Sequence, residues 1–115
     1  MTRTAVLADG VPGALVPSLL LLELTEGPAH GYDLIERLRL AGSRSGTVYR
    51  SLRALEDDGL VASGWETTQK RGPARRVYRL TPAGRKALRD SVPIVERIVV
   101  DLTAFVARAK PTPRR

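Results

Sequence analysis

The chain of 115 residues has a formal net charge of +7, no cysteine and one histidine, His30, which excludes disulfides, thiolate catalysis and Cys-rich or His-rich metal sites. Hydrophobic residues make up 43% and charged residues 27%, which predicts one globular domain, and the basic excess favours an acidic partner, most often nucleic acid. Because no apolar run could span a bilayer and the N-terminus lacks the apolar region of a signal peptide, we expect a cytoplasmic protein.

The first predicted helix follows a poorly patterned arm over residues 1–12. It covers residues 13–26, "GALVPSLLLLELTE", and Pro17 suits its opening turn. The run Leu19 to Leu22 is apolar all round, which indicates a helix buried on most of its sides.

The second predicted helix fits "HGYDLIERLRLAG" and ends at Gly42. Tyr32, Ile35 and Leu38 recur every three residues and predict its buried face, with the Tyr32 hydroxyl reaching solvent or a partner. His30 precedes this helix. A pH switch or a ligand role is conceivable for an imidazole, but the favoured interpretation is a helix-start residue that bonds backbone.

The third predicted helix fits "SGTVYRSLRALEDDG". Val48, Leu52 and Leu55 form one apolar stripe at i, i+4 and i+7, and Gly59 is placed to end the helix. The stripe therefore predicts which face packs on the core.

The outer face of the third helix carries Gly46, Arg50 and Arg53, opposite the stripe. An arginine there can reach the O6 and N7 atoms of guanine or bind phosphate. Thr47 and Tyr49 lie near the helix N-terminus and can bond phosphate oxygens. A solvated face is the alternative for two arginines taken alone.

Acidic residues are absent from Ser43 to Leu55 and appear at Glu56, Asp57 and Asp58, where the helix ends. Acids on the outer face would repel DNA, so this separation favours DNA binding. A metal site at the three acids is disfavoured, and we expect a solvated helix end.

A β-hairpin is predicted next, from "LVASGWE" and "RRVYRL". Gly72 and Pro73 make the turn, in the acid-free stretch "QKRGPARRVYRLTPAGRK". Trp65 is interpreted as a packing anchor between hairpin and domain, and Tyr78 as a core residue. Three helices followed by a hairpin form a winged helix-turn-helix, in which the hairpin is the wing and its cations lie against phosphates.

The last predicted helix begins at the pair Thr81–Pro82, a good N-cap and first position, and runs to Ala109. Its apolar residues follow an unbroken heptad rhythm, which needs a partner surface. That surface is a second copy of the chain, the domain's own first helix, or both. Pro93 lies within the rhythm and predicts one bent helix or two abutting ones.

The fold class is therefore mainly α with a small β-hairpin, a winged helix-turn-helix plus a long C-terminal dimerisation helix. The expected organisation is an arm over 1–12, a DNA-binding domain over 13–81, the dimerisation helix over 82–109 and a flexible basic tail over 110–115.

Three segments resemble the PadR family of transcriptional regulators: "GPAHGYDLIERL", "SGTVYRSLRALEDDGLV" and "GPARRVYRLTPAGR". They span about residues 15–90 and share the family's spacing of Gly, Tyr and Leu. The resemblance implies a bacterial dimeric winged-helix protein, commonly a repressor, held together by the C-terminal helix and often released from DNA by an effector. The chain departs from the family in its short connection "LAGSRSG" and in Arg50, where proline is frequent.

The expected function is that of a sequence-specific DNA-binding regulator, a dimeric repressor of an inverted-repeat operator in double-stranded DNA, with an unidentified small-molecule effector. The expected DNA-binding residues are Ser45, Thr47, Tyr49, Arg50, Arg53, Lys70, Arg71 and Arg75. The expected dimerisation residues are Leu88, Val92, Val95, Val99, Leu102 and Val106, with Ala109 ending the heptad series.

The alternative function is a winged-helix interaction module that binds an acidic protein or RNA without operator specificity. An enzyme is not expected, because the sequence offers no pair of nucleophile and base and no glycine-rich phosphate loop. We expect neither a cofactor nor a metal.

Overall fold

A computed structural model of the chain describes residues 13–40, 42–66 and 75–111. The arm over 1–12, the predicted turn at Gly72 and Pro73, and the end of the tail lie outside this described part. The helices are α1 (Val16–Glu23), α2 (Gly31–Leu40), α3 (Ser45–Asp57) and α4 (Pro82–Ala109), and the strands are β1 (Ala29–His30), β2 (Val61–Trp65) and β3 (Arg76–Leu80). Short 3-10 turns flank α1 at Gly13–Leu15 and Leu24–Glu26.

The core lies where the first three helices meet the sheet. The predicted stripe of α3 is buried in full, and it packs on apolar side chains of α1 and α2. The largest fully buried side chains are Val16, Leu20, Leu24, Leu34, Val48, Leu52 and Val61. Burial of each such side chain contributes about 1.5–3 kcal/mol, so this cluster holds α3 in place and leaves its opposite face outside.

The sheet has three antiparallel strands in the order β1-β3-β2. The hairpin of β2 and β3 was predicted, whereas β1 was not, because two residues are too few to show a strand pattern. In β1, Ala29 pairs with Tyr78 and His30 with Val77. This short strand ties the start of α2 to the base of the wing.

Two glycines with positive φ end helices in this region: Gly42 follows α2 and Gly59 follows α3. Gly59 has φ +76°, its N–H donates to Glu56 O at 3.0 Å, and Leu60 N–H donates to Leu55 O at 2.9 Å. This is the Schellman arrangement, which needs a left-handed residue, and it confirms Gly59 as the helix stop. Gly42, with φ +95°, ends α2 in the same way.

The long helix α4 begins as predicted at Thr81, whose Oγ1 accepts a hydrogen bond from Gly84 N–H at 3.0 Å. Thr81 also donates to the carbonyl oxygen of Gly59 at 2.7 Å, so the helix start is fixed to the end of α3. The helix continues through Pro93, which rules out two separate abutting helices. Among the described residues, no helix is both long and apolar enough to cross a membrane.

Two side-chain predictions were wrong. Tyr32 does not join the core and is 69% exposed, because the buried positions of α2 are Leu34, Ile35 and Leu38. Trp65 is not a packing anchor: it is 59% exposed and lies under the guanidinium of Arg76. The run Leu19 to Leu22 is buried on most of its sides, as predicted, and only Leu22 faces outward from α1.

Candidate nucleic-acid interface

The outward face of α3 is a compact polar surface on a fixed helix. Ser45, Arg50 and Arg53 are exposed, and Tyr49 is about half-exposed. Thr47 is half-buried at the edge of this face. Because the opposite side is anchored by three buried residues, the positions of these side chains are set by the core, as a helix that enters a DNA groove requires.

Arg50 lies back along its own helix towards the N-terminus. Its Nη2 donates to Thr47 Oγ1 at 3.4 Å, and its Nη1 lies near Gly46. A guanidinium has five N–H donors, so this one weak bond leaves most of them available to a base edge or a phosphate. Arg50 can therefore reach outward at little cost in intramolecular bonding.

An open cleft of about 350 Å³ joins α3 to the base of the wing. It brings Tyr49 of α3 together with Arg75, two predicted site residues that are 26 positions apart in sequence. The residues that line the cleft are His30, Gly31, Tyr32, Tyr49, Arg75, Arg76 and Tyr78. Phenolic hydroxyls and the exposed guanidinium of Arg75 on one concave surface suit a phosphate backbone.

Lys70 and Arg71 lie outside the described residues, so their place on the wing stays a prediction. Arg75, directly before β3, is exposed, and so is Arg79 within the strand. The described base of the wing thus presents positive charge beside α3.

His30 has a different environment from the one predicted. Its Nδ1 lies 3.6 Å from Asp33 Oδ2, too far for a hydrogen bond, and its Nε2 lies 3.3 Å from Glu66 Oε2 without hydrogen-bond geometry. The imidazole therefore faces two carboxylates, and its interpretation as a residue that bonds backbone was wrong. A neutral ring has one N–H and can donate to only one of the two carboxylates.

Glu56 is not part of a solvated helix end, contrary to the prediction. Its Oε2 accepts a hydrogen bond from Ser63 Oγ at 2.5 Å, and Ser63 Oγ accepts one from Arg76 Nη1 at 2.6 Å. Neither Ser63 nor Arg76 was among the predicted site residues. No pattern in the sequence relates Glu56 to residues 7 and 20 positions further along, because only strand pairing brings them together.

Tyr78 lines the same cleft and packs into the core beneath the wing strands. It is buried on the inner side of β3, and burial raises the pKa of its phenol above the ordinary value of 10.0, an effect that the positive charge of Arg76 opposes. The phenol is therefore neutral at physiological pH and acts as a packing group with a polar tip.

The apolar stripe of α4 divides into a packed and an exposed part. Leu88 packs on the core cluster and Val95 is half-buried near α1. Val92, Val99, Leu102 and Val106 are all about half-exposed, and Phe105 is 66% exposed. The alternative partner surface, the domain's own first helix, thus covers only the beginning of the stripe.

An apolar groove of about 260 Å³ runs between α1 and α4. Leu19 and Leu22 line it on one side, and Val92, Val95 and Val99 line it on the other. The outward-facing Leu22 of α1 therefore continues the exposed stripe of α4 into one surface, which we call the α1–α4 face.

The sequence matches the family described as the Transcriptional regulator PadR-like family over residues 20–90. It is 41% identical over 81 residues to the transcriptional regulator Rv3488 of Mycobacterium tuberculosis. The aligned residues cover 69% of this chain and 74% of that protein. The PadR family transcriptional regulator of Eggerthella lenta DSM 2243 has a similar structure, with a TM-score of 0.58, 30% identity and coverage of 81% of this chain and 84% of the other. Protein TA0346 of Thermoplasma acidophilum superposes with a TM-score of 0.71 at 26% identity and covers 86% of this chain and 96% of its own.

The family match spans the second half of α1, all of α2 and α3, the wing strands and the start of α4, and so it includes the elements that build the candidate interface. The fold is accordingly a winged helix with an added C-terminal helix. On these grounds the chain belongs to the PadR-like family of transcriptional regulators.

Proposed function

We propose that this protein is a homodimeric, sequence-specific DNA-binding repressor. The observation that carries the proposal is the outward face of α3. It holds Arg50 and Arg53 on a helix anchored by the core, it is free of acids from Ser43 to Leu55, and Arg75 lies beside it. In this proposal α3 is the recognition helix and enters the major groove, where Arg50 and Arg53 contact bases and Ser45, Thr47 and Tyr49 contact phosphates.

The wing contacts the DNA backbone beside the groove. Arg75 does so from the base of the wing, and Lys70 and Arg71 do so from the segment beyond it. These contacts add affinity without sequence preference, because a phosphate carries the same charge at every base pair.

The α1–α4 face supports the dimer. Its exposed valines and leucines form a continuous apolar surface on a chain of this size, and such surfaces mark interaction sites. A two-fold axis through this face would set two recognition helices about one DNA turn apart, roughly 34 Å, which predicts an inverted-repeat operator.

Repression, with release by a small-molecule effector, is the mode of action that membership of the family suggests. A bound repressor blocks access to the DNA that it covers, and an effector that binds the DNA-free form more tightly shifts the population away from DNA.

Selection of bound sequences from a pool of random duplexes tests the function. We expect enrichment of an inverted repeat whose half-sites lie about 10 base pairs apart from centre to centre. Enrichment of no sequence, together with equal binding to unrelated duplexes, would reject the repressor and favour the alternative of an interaction module for RNA or acidic proteins.

A further inference from the structure

A chain of polar contacts joins α3 to both strands of the wing. Ser63 of β2 donates its hydroxyl proton to Glu56 Oε2 of α3 at 2.5 Å and accepts a hydrogen bond from Arg76 Nη1 of β3 at 2.6 Å. The hydroxyl thereby donates its one proton to an acid and accepts a hydrogen bond from a base at the same time. We call Glu56, Ser63 and Arg76 the wing network.

Strand register explains how three distant residues meet. Ser63 pairs with Tyr78 and Trp65 pairs with Arg76, so Ser63 and Arg76 are diagonal neighbours on one face of the hairpin. Tyr78 on that same face is buried, which places the face towards the core and the end of α3. The guanidinium of Arg76 lies 4.6 Å from the ring centroid of Trp65 and is held there by cation–π attraction.

The position of Glu56 is unfavourable for an acid unless a cation offsets it. Glu56 lies in the last turn of α3, where the helix dipole carries partial negative charge. Asp57 and Asp58 follow it at the same helix end and are exposed to water. Glu56 alone is half-buried and points to the wing, with Arg76 close enough to balance its charge through Ser63.

We propose that the wing network is a positioning device that fixes the wing at one angle to the recognition helix, so that the phosphate contacts of the wing and the base contacts of α3 are made together. This inference rests on the proposed function. The inference gives two adjacent arginines different roles. Arg76 makes a hydrogen bond within the protein, whereas Arg75 is exposed and available to DNA. Glu56, Ser63 and Arg76 are positioning residues and do not touch DNA.

The first test compares Glu56→Ala with Asp57→Ala in the full-length protein. Both variants remove one negative charge from the same helix end, and electrostatics alone predicts slightly tighter DNA binding for both. The probe is a duplex enriched from a random pool by the wild-type protein. We expect Glu56→Ala to raise Kd for this duplex about tenfold, while Asp57→Ala leaves Kd within about threefold of wild type. Equal effects of the two substitutions would overturn the proposal.

The second test changes no charge. Ser63→Ala removes both hydrogen bonds of the network and is expected to weaken binding to the enriched duplex, whereas Ser63→Thr keeps a hydroxyl and is expected to restore it. In a double-mutant cycle, Arg75→Ala should raise Kd by a smaller factor in the Ser63→Ala background than in wild type, because a wing that is no longer fixed makes its phosphate contact less often. Additive effects, or a failure of Ser63→Thr to rescue, contradict the proposal.

Hydrogen exchange without DNA separates failure of this inference from failure of the proposed function. Ser63→Ala should speed amide exchange in β2 and β3 while the core amides of α3 exchange as in wild type. Unchanged exchange in both strands would show that the network does not fix the wing. A wild-type protein that selects no sequence, but whose wing strands respond to Ser63→Ala, would reject the DNA-binding function and leave the wing network in place.

Discussion

The backbone carbonyl of Leu60 lies directly against Gly84: a β-carbon at position 84 would stand 2.0 Å from Leu60 O and 2.7 Å from Leu80 Cδ1. The first turn of α4 therefore reaches the start of the wing at a distance that only glycine permits. Thr81 reinforces the contact, since its backbone N–H donates to Leu60 O at 3.2 Å. This junction connects the winged helix to the helix that carries the apolar stripe.

Gly84→Ala should destabilise the protein by about 1–3 kcal/mol, because the methyl group meets backbone that cannot move without breaking the junction. Chemical unfolding followed by circular dichroism measures the change. Gly46→Ala is the matched control: its β-carbon would approach only the flexible end of Arg50 at 3.4 Å, and alanine favours a helix, so stability should stay equal or rise slightly. Equal unfolding midpoints for both variants would contradict the tight junction.

Arg50→Ala should weaken specific DNA binding by about 1–3 kcal/mol if Arg50 reads a base, and it should relax the preference at one position in each half-site. Selection from random duplexes with the variant protein measures both effects. Arg97→Ala removes the same charge from α4, where Arg97 pairs with Asp101 at 3.1 Å, and controls for net charge. If the variant retains full affinity and the wild-type sequence preference, Arg50 does not contact a base.

Val99→Asp combined with Leu102→Asp should produce a monomer, because a dimer would bury two carboxylates from each protomer without partners. Binding to a palindromic operator should then fall far more than binding to a single half-site. Analytical ultracentrifugation at tens of micromolar decides the assembly. Val100→Asp, about 100° around the helix from Val99, is the control and should remain dimeric. A wild-type monomer, or a double variant that still dimerises, would place any dimer contact elsewhere.

The raised pKa of Tyr78 predicts that the folded protein loses stability in alkaline solution. Its pKa is raised in the folded state mainly by burial, so the unfolded chain releases this proton first. The stabilising contribution is complete below the unfolded pKa of about 10 and is lost as the pH rises through the folded pKa. Urea unfolding between pH 8 and about 11 should show wild type losing stability relative to Tyr78→Phe. Tyr32→Phe controls for loss of an exposed phenol, and parallel curves for wild type and Tyr78→Phe would contradict the prediction.

The order of the four helices and the wing hairpin could be predicted because each of them has a local signal, which the two-residue strand β1 lacks. The stripe of Val48, Leu52 and Leu55 shows the helical period, Gly59 marks a stop that needs a left-handed residue, and the pair Thr81–Pro82 marks a start. These signals arise within a few residues, from side-chain direction and backbone conformation, and they do not depend on distant contacts. The outward placement of Arg50 and Arg53 follows from the same period.

Tertiary structure alone decided which side chains from different elements meet. Periodicity on α2 could not show that Tyr32 stays outside, because the core was already filled by Leu34, Ile35 and Leu38. The register of β2 against β3 decided that Ser63 would join Glu56 to Arg76, and the tight contact at Gly84 decided where α4 leaves the domain. Sequence spacing determines the face of a single helix or strand, but the distance between two elements depends on how the whole core packs.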